Sequence, residues 1–326
     1  MKLSILDLAP VNSGSAFEAL QASRELAVLA DERGYSRYWM AEHHGFENLA
    51  CPAPEVMLGY LGAYTKNIRL GAGAILLPHY KPYKVAETFN MLATLFPGRI
   101  DIGVGRAPGG SPEASIALSG NFLENVKDFP HSLQTLLHFL QDDFDERDFF
   151  SKTKAMPVPE ISPVPWLLGT SEKSARRAAS YGMGYVFGHF MSDKETGEIL
   201  NLYQREFLTG FHFAKPYTIL AVNAVCAETT EKAEQIAFSV NKRQVLTEKE
   251  KRRNGETVEL QLTKEEELEV HRKREKMVAG NPTEVKEQLL HIQSKYPIDE
   301  IMLVTFTDSY KERKKSFQLI ADSLLR

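Results

Sequence analysis

A few short stretches of the sequence carry side chains able to do chemistry. Ala41-Glu42-His43-His44-Gly45 sets a carboxylate beside two imidazoles, and an imidazole, which ionises near neutral pH, is well suited to pass a proton or to ligate a metal. Gly103-Val104-Gly105-Arg106-Ala107-Pro108-Gly109-Gly110 holds one guanidinium in a glycine-rich run, apt for a two-pronged contact with a phosphate or carboxylate, or for an ordinary surface turn. It is no dinucleotide fingerprint, because G-x-G-x-x-G would need glycine where Pro108 stands. Gly169-Thr170-Ser171-Glu172-Lys173-Ser174 brings hydroxyls to a helix start; they cap its open N–H groups or, with those groups, hold an anion. Gly71-Ala72-Gly73-Ala74-Ile75 is small enough for a flat ligand to approach the backbone, although small residues also simply pack. Phe187-Gly188-His189-Phe190 repeats the pairing of glycine with imidazole.

The elements that must position these groups follow from periodicity. Leu3 to Leu8 reads as a buried strand, and Ser15 with Glu18 forms a capping box that opens a helix. In that helix Ala19, Ala22, Leu26, Leu29 and Ala30 recur at helical spacing, and Gly34 ends it before a strand from about 37 to Ala41. The unit then repeats as a helix from about Pro54 to Thr65, a strand Ile68 to Ile75, a helix from about Tyr83 to Leu95, a Pro97-Gly98 turn and a strand Ile100 to Gly105. Strand starts near 3, 37, 68 and 100 recur about every 32 residues. Further strands at Trp166 to Leu168, Tyr185 to Phe187, Tyr217 to Ala227 and Glu300 to Phe306, with a last helix from about Tyr310 to Leu325, complete the set. Strands that are apolar throughout belong to a parallel sheet buried on both faces. The expected fold is therefore α/β, a (β/α)8 TIM barrel in a single domain over residues 1–326, with insertions after strands four and seven at about 107–165 and 241–280.

In such a barrel ligands bind at the carboxyl ends of the strands, which is where all of these stretches fall. Successive residues of an extended strand point to opposite faces, so Glu42, His43 and His44 are not expected to converge on an ion. No further His or carboxylate cluster completes a ligand set, and no metal site is expected. His43 is then either a proton-transfer residue or a packed histidine at the rim.

Composition bounds the remaining possibilities. Of the 326 residues 43% are hydrophobic and 25% charged, enough apolar material for a large core, which excludes disorder for the bulk of the chain. A formal net charge of −4 leaves no electrostatic footprint for nucleic acid. No long apolar run suggests a membrane span or a signal peptide. Cys51 and Cys226 stand in no ligand spacing, and the cytoplasm is the expected location. Lys242 to Lys276 holds eleven Lys/Arg and nine Asp/Glu in thirty-five residues, which reads as a solvated helical hairpin or as a mobile lid over the site.

Trp39-Met40-Ala41-Glu42-His43-His44, Gly71 to Pro78, Val85-Ala86-Glu87, Pro97 to Arg106, and Gly280-Asn281-Pro282-Thr283-Glu284-Val285 together resemble the bacterial-luciferase-like flavin monooxygenases, in their single-subunit branch, over nearly the whole chain. The resemblance implies a barrel that binds reduced flavin mononucleotide (FMN), delivered by a separate flavin reductase, and uses O₂ to monooxygenate a small-molecule substrate. Residue by residue it implies that His43 is the rim histidine needed for chemistry and that Arg106 grips the flavin phosphate. It makes Gly73 and Ala74 a non-proline cis peptide beside the isoalloxazine, Thr170 and Ser171 the phosphate-binding hydroxyls, and Gly188 and His189 the segment flanking the ring. The luciferase α subunit carries a reactive cysteine immediately before that arginine, and Gly105 stands there in this chain, which removes the thiol. A homodimer through the helices near Pro54 to Thr65 and Tyr83 to Leu95 is implied as well. Met57, Leu58, Leu61, Met91, Leu92 and Leu95 exceed what one barrel-facing stripe needs. A deazaflavin-dependent oxidoreductase of the same fold and a flavin-binding protein without turnover are the competing readings.

Overall fold

Ser15 caps the first helix with the reciprocal geometry that its spacing predicts: Glu18 N–H donates to Ser15 Oγ at 3.3 Å and Ser15 N–H donates to Glu18 Oε2 at 2.8 Å. Gly34, at φ +80°, then turns the chain back toward the next strand. The computed structural model describes residues 1–12, 14–252 and 262–325. In chain order its elements are β1 (Lys2–Asp7), α1 (Ala16–Glu32), β2 (Arg37–Met40), α2 (Pro54–Tyr64), β3 (Arg69–Leu76), α3 (Pro82–Leu95) and β4 (Ile100–Gly105). There follow α4 (Pro112–Ser119), α5 (Phe122–Gln141), β5 (Val164–Gly169), α6 (Glu172–Ser180), β6 (Gly184–Gly188), α7 (Thr196–Glu206) and β7 (Thr218–Cys226). The last elements are α8 (Thr230–Arg252), α9 (Lys264–Glu275), β8 (Val278–Gly280), α10 (Pro282–Lys295), β9 (Glu300–Val304) and α11 (Tyr310–Leu324).

Strands β1 to β7 pair in sequence order, all parallel, and β9 closes the ring by pairing with both β7 and β1. This is the expected (β/α)8 barrel. The short β8 was not foreseen: it adds to the end of β7 outside the ring, and Val278-Ala279-Gly280 is too short to announce itself by pattern. Within 107–165, α5 packs against α3 as the outer helix between β4 and β5, and α4 is added before it. Within 241–280, α8 and α9 lie against each other through Lys249–Glu266 and Lys273–Glu248 pairs, both at 3.1 Å. The middle of that segment, with Asn254-Gly255, lies outside the described residues.

Helices α2 and α3 correct one expectation. Met57, Leu58, Leu61 and Leu92 are buried in the chain's own core, because these helices bury a broader face between barrel and neighbours than a single stripe supplies. Met91 and Leu95 stay exposed, joined by Val56 and Tyr64, which the sequence pattern did not single out.

The amino end of the barrel is closed by buried charge. Arg37 Nε donates to both oxygens of Glu300 at 2.9 and 3.1 Å, and its Nη1 donates to Asp101 Oδ2 at 2.9 Å. Arg69 Nη2 donates to Asp101 Oδ1 at 2.7 Å, and Trp39 Nε1 donates to Oδ2 at 3.1 Å. Above this floor Trp39 and Trp166 meet edge to face at 5.7 Å, with Leu6, Val186, Ile219 and Met302 filling the same layer.

Removing Asp101 takes a counter-charge from the buried Arg37 and the half-buried Arg69, so Asp101→Ala should cost about 3–5 kcal/mol of folding stability. Urea denaturation followed by circular dichroism measures it, and a loss below about 1 kcal/mol would deny the cluster its structural role. A second expectation concerns acid. Burial pushes the Asp101 carboxyl up, but the charges of Arg37 and Arg69 hold it below its ordinary 3.8. Burial is likewise outweighed at Asp7 by Arg313. The unfolded chain thus binds protons at these sites before the folded one does. Their stabilisation is full above that ordinary value and drains away as pH falls below it. Denaturation midpoints at a series of pH values should fall in that acid window, and Asp101→Ala should flatten the fall.

Candidate active site

The Trp39–Trp166 layer is the floor of a cavity of about 520 Å³ that opens at the carboxyl ends of the strands. Leu6, Leu8, Leu168, Val186, Phe190 and Ala221 give it one continuous apolar wall. The opposite side is made by Gly73, Ala74 and Gly105. The Gly73–Ala74 peptide is cis, and the β3–β4 register shifts between Ala72 and Ile75. Only small residues fit there. A Cβ on Gly73 would lie 2.6 Å from Leu6 Cδ1, and one on Gly105 would lie 3.0 Å from the Ala74 Cβ.

The mouth is cationic. Arg106, immediately after β4, shares it with Lys173 and Arg177, which project from one face of α6 at helical spacing. Burial and then the nearby charge of Arg106 lower the Arg177 pKa, and the Arg177 guanidinium lies 5.3 Å over the Phe129 ring. The neighbouring carboxylate of Glu172 turns to Arg176 at 3.9 Å. Ser171 is the N-cap of α6: its Oγ accepts from Ser174 N–H at 3.3 Å, while Ser174 Oγ donates to Ser171 O at 2.7 Å. Thr170, Ser171 and Ser174 line the cavity beside the two cations of that helix. Like-charged groups gathered at a helix start, with hydroxyls between them, form a seat for a phosphate.

Glu42 and His43 face the cavity from the β2 side. His44, two residues beyond Glu42, places Nε2 at 2.8 Å from Glu42 Oε1. The pair agrees with the alternation expected of this stretch, in which residues two apart share a side. Among the described residues no group of three or more His, Cys, Asp or Glu side chains converges as a metal site would require. His43 N–H donates to Cys51 O at 3.0 Å. The Cys51 thiol, pushed up to about 12 by burial, stays protonated.

The structure thus brings together His43, Gly73, Ala74, Arg106, Thr170, Ser171 and Gly188 around one cavity. His189 is not among its lining residues: its Nδ1 lies 2.9 Å from Thr196 Oγ1 and its ring lies against Tyr296. Burial, then Lys276 and Lys295, lower the His189 pKa and favour a neutral ring. Sequence reasoning missed Arg177, Lys173 and the apolar wall. The spacing of Lys173 and Arg177 on one helical face carried the signal, and it was obscured because α6 has a third cation, Arg176, on another side.

A parallel barrel with cations and hydroxyls at its mouth and an apolar chamber beneath could hold a small molecule beside a phosphate-bearing cofactor. Comparison with known proteins makes this specific. The model of the luciferase-like monooxygenase family matches residues 1–296, and the chain belongs to that family of flavin-dependent enzymes. The uncharacterized protein YceB of Bacillus subtilis (strain 168) is 38% identical over 99% of this chain and 99% of its own length. N-acetyl-S-alkylcysteine monooxygenase of the same organism is 36% identical over 100% of this chain and 98% of its own. The solved structure of apo-MsnO8 superposes with a TM-score of 0.84 at 32% identity, covering 99% of this chain and 98% of that one. No helix among the described residues is long and apolar enough to cross a membrane.

Arg177→Ala should weaken binding of a phosphate-bearing ligand at this mouth by about 1.5–3 kcal/mol, roughly ten- to a hundred-fold in Kd. Calorimetric titration of the variant beside Arg106→Ala measures it. An Arg177 variant that binds as the unaltered protein does would place the seat on Arg106 alone.

Proposed function

We propose that this monooxygenase uses FMN, reduced by a separate flavin reductase, with O₂ to oxidise a small organic molecule. The observation that carries the reading is the cavity's polarity: three cations and three hydroxyls at the mouth, apolar walls within, and one imidazole between them. The residues fit the cofactor. A phosphate dianion meets Arg106, Lys173, Arg177 and the Thr170–Ser171 corner, and a flat ring meets the ledge of Gly73, Ala74 and Gly105 that a larger side chain would fill. FMN at this place also fits what the relatives display. An oxygenating constituent of 3,6-diketocamphane monooxygenase with this fold is solved in complex with FMN, at a TM-score of 0.72 and 17% identity over 99% of this chain and 98% of its own.

Reduced flavin, when bound, supplies the electrons that activate O₂. The chain's own residues do the rest. Arg106 and Arg177 hold the phosphate at the mouth, which fixes the depth to which the ring enters. Leu6, Leu8, Val186 and Phe190 keep water from the chamber and receive the apolar part of the substrate. His43 passes a proton at Nε2, since its Nδ1 is buried. Both cysteines are free and buried, in keeping with a cytoplasmic protein, and Gly105 leaves no thiol beside the ring.

His43→Ala should retain FMN binding and lower substrate-dependent O₂ uptake by roughly 10² to 10⁴. Uptake at the original rate, or a chain that does not fold, would make His43 structural. The absorption spectrum of the cofactor that copurifies or binds most tightly settles FMN against a deazaflavin, and a deazaflavin spectrum would replace oxygen chemistry by hydride transfer.

The same reading includes a homodimer. Val56 and Tyr64 on α2 with Met91 and Leu95 on α3 present exposed apolar surface on two helices that touch. Light scattering at micromolar concentration should give twice the 36.7 kDa chain mass, and Met91→Glu with Leu95→Glu should return the chain to that mass. A monomer before any substitution would remove the dimer.

A further inference from the structure

Glu42 leaves the end of β2 with a side chain that has no solvent exposure, and crosses to β3. Its Oε2 accepts the Leu76 N–H at 3.0 Å, and its Oε1 accepts the Tyr80 hydroxyl at 2.7 Å. His44 Nε2 meets the same Oε1 at 2.8 Å. A backbone N–H can only donate, and three neighbours converge on two oxygens, the arrangement in which a carboxylate accepts from Leu76 N–H, the Tyr80 hydroxyl and His44 Nε2–H. Glu55 lies near the pair: burial raises its carboxyl, a hydrogen bond from its own backbone opposes that, and Glu42 adds to the rise.

The backbone of the same segment makes two more ties. His44 N–H donates to Gly109 O at 2.8 Å, on the loop that carries Arg106, and His43 N–H donates to Cys51 O at 3.0 Å. His79 supports that loop as well, with Nε2 at 2.8 Å from Pro108 O and its ring 5.9 Å from that of His44. Three separate parts of the cavity edge therefore meet at residues 42–44: the end of β3 after Gly73–Ala74, the imidazole of His43, and the loop of Arg106.

We propose that Glu42 is a positioning residue, which locks the end of β3 to the end of β2 and fixes His44 in the Nε2–H form so that His43, Ala74 and Arg106 are held in mutual register. A carboxylate accepts from all three partners at once, because three donors converge on two oxygens. Glutamine can satisfy them only by inverting one partner. Its carbonyl must take the Leu76 N–H, which leaves its NH₂ facing Tyr80 and His44, and His44 must then accept at Nε2 and move its proton to Nδ1.

That inversion is the test, and it needs no flavin. Nitrogen-15 NMR of the full chain, with the His44 resonances identified by their loss in His44→Gln, should show an Nε2–H ring in the unaltered protein and an Nδ1–H ring in Glu42→Gln. An Nδ1–H ring in the unaltered protein, or no change of tautomer in Glu42→Gln, would overturn the proposal; the first measurement decides even if the variant does not fold. The second readout rests on the flavin reading. In titrations followed by flavin fluorescence, Glu42→Leu, which gives Leu76 N–H no acceptor, should weaken FMN about tenfold, while Glu42→Gln stays within about threefold of the unaltered chain. Equal FMN affinity for Glu42→Leu and the unaltered chain would remove Glu42 from positioning. Failure of the unaltered chain to bind FMN would instead defeat the flavin reading and leave the tautomer result standing.

Discussion

Arg37 sits with Glu300 on one side and Asp101 on the other, and neither acid belongs to a strand adjacent to its own. Because these charges are excluded from water, each is tolerable only with its partners in place, so the cluster admits one arrangement of β2, β3, β4 and β9 and no slipped register. The Arg37 guanidinium also lies 4.6 Å over the Trp166 ring, which ties the ionic floor to the aromatic layer above it. With its amino end filled in this way, the barrel can be hollow only toward the carboxyl ends. The placement of the cavity follows from the charge cluster.

Above the aromatic layer the two halves of the cavity obey opposite physics. The chamber walls come from strand residues buried on both faces of a parallel sheet, which must be apolar or small. The mouth is built by the first turns of α6 and the loop after β4, where solvent reaches the side chains and like charges are affordable. Burial first and then the like charge of Arg106 lower the Arg177 pKa, and an anion between the two would relieve that repulsion. A ligand with one apolar and one dianionic end is oriented by this contrast alone.

The edge of the cavity is held by backbone and side-chain groups that do not resemble site residues by type. Tyr80 and Leu76 fix Glu42, and Gly109 fixes His44. At the far side Lys276, at the foot of the α8–α9 pair, bonds Ser192 O at 3.3 Å and pairs with Asp193, just past the Phe190 and Met191 that line the chamber. The charged hairpin is thereby joined to the β6 rim at its base.

The barrel was legible in the chain because each βα unit is a local pattern: the Ser15–Glu18 cap, the Gly34 turn, apolar strands at regular intervals, and glycines where rims must be small. The same logic picked out His43, Ala74 and Arg106, since residues just past a strand of a parallel barrel converge whatever their identity. What the chain could not reveal were relations between elements distant in sequence. Arg177 joins Arg106 only because β4 and β5 are neighbours in the ring; His189 leaves the cavity only because Thr196 and Tyr296 draw it away. Met57, Leu58 and Leu61 are buried in the chain's own core, and Glu42 finds Leu76 and Tyr80 only because the ends of β2 and β3 are neighbours. Local periodicity is written in a stretch of residues, whereas packing and hydrogen-bond partners are chosen when distant stretches compete for the same space, and only the folded chain decides that.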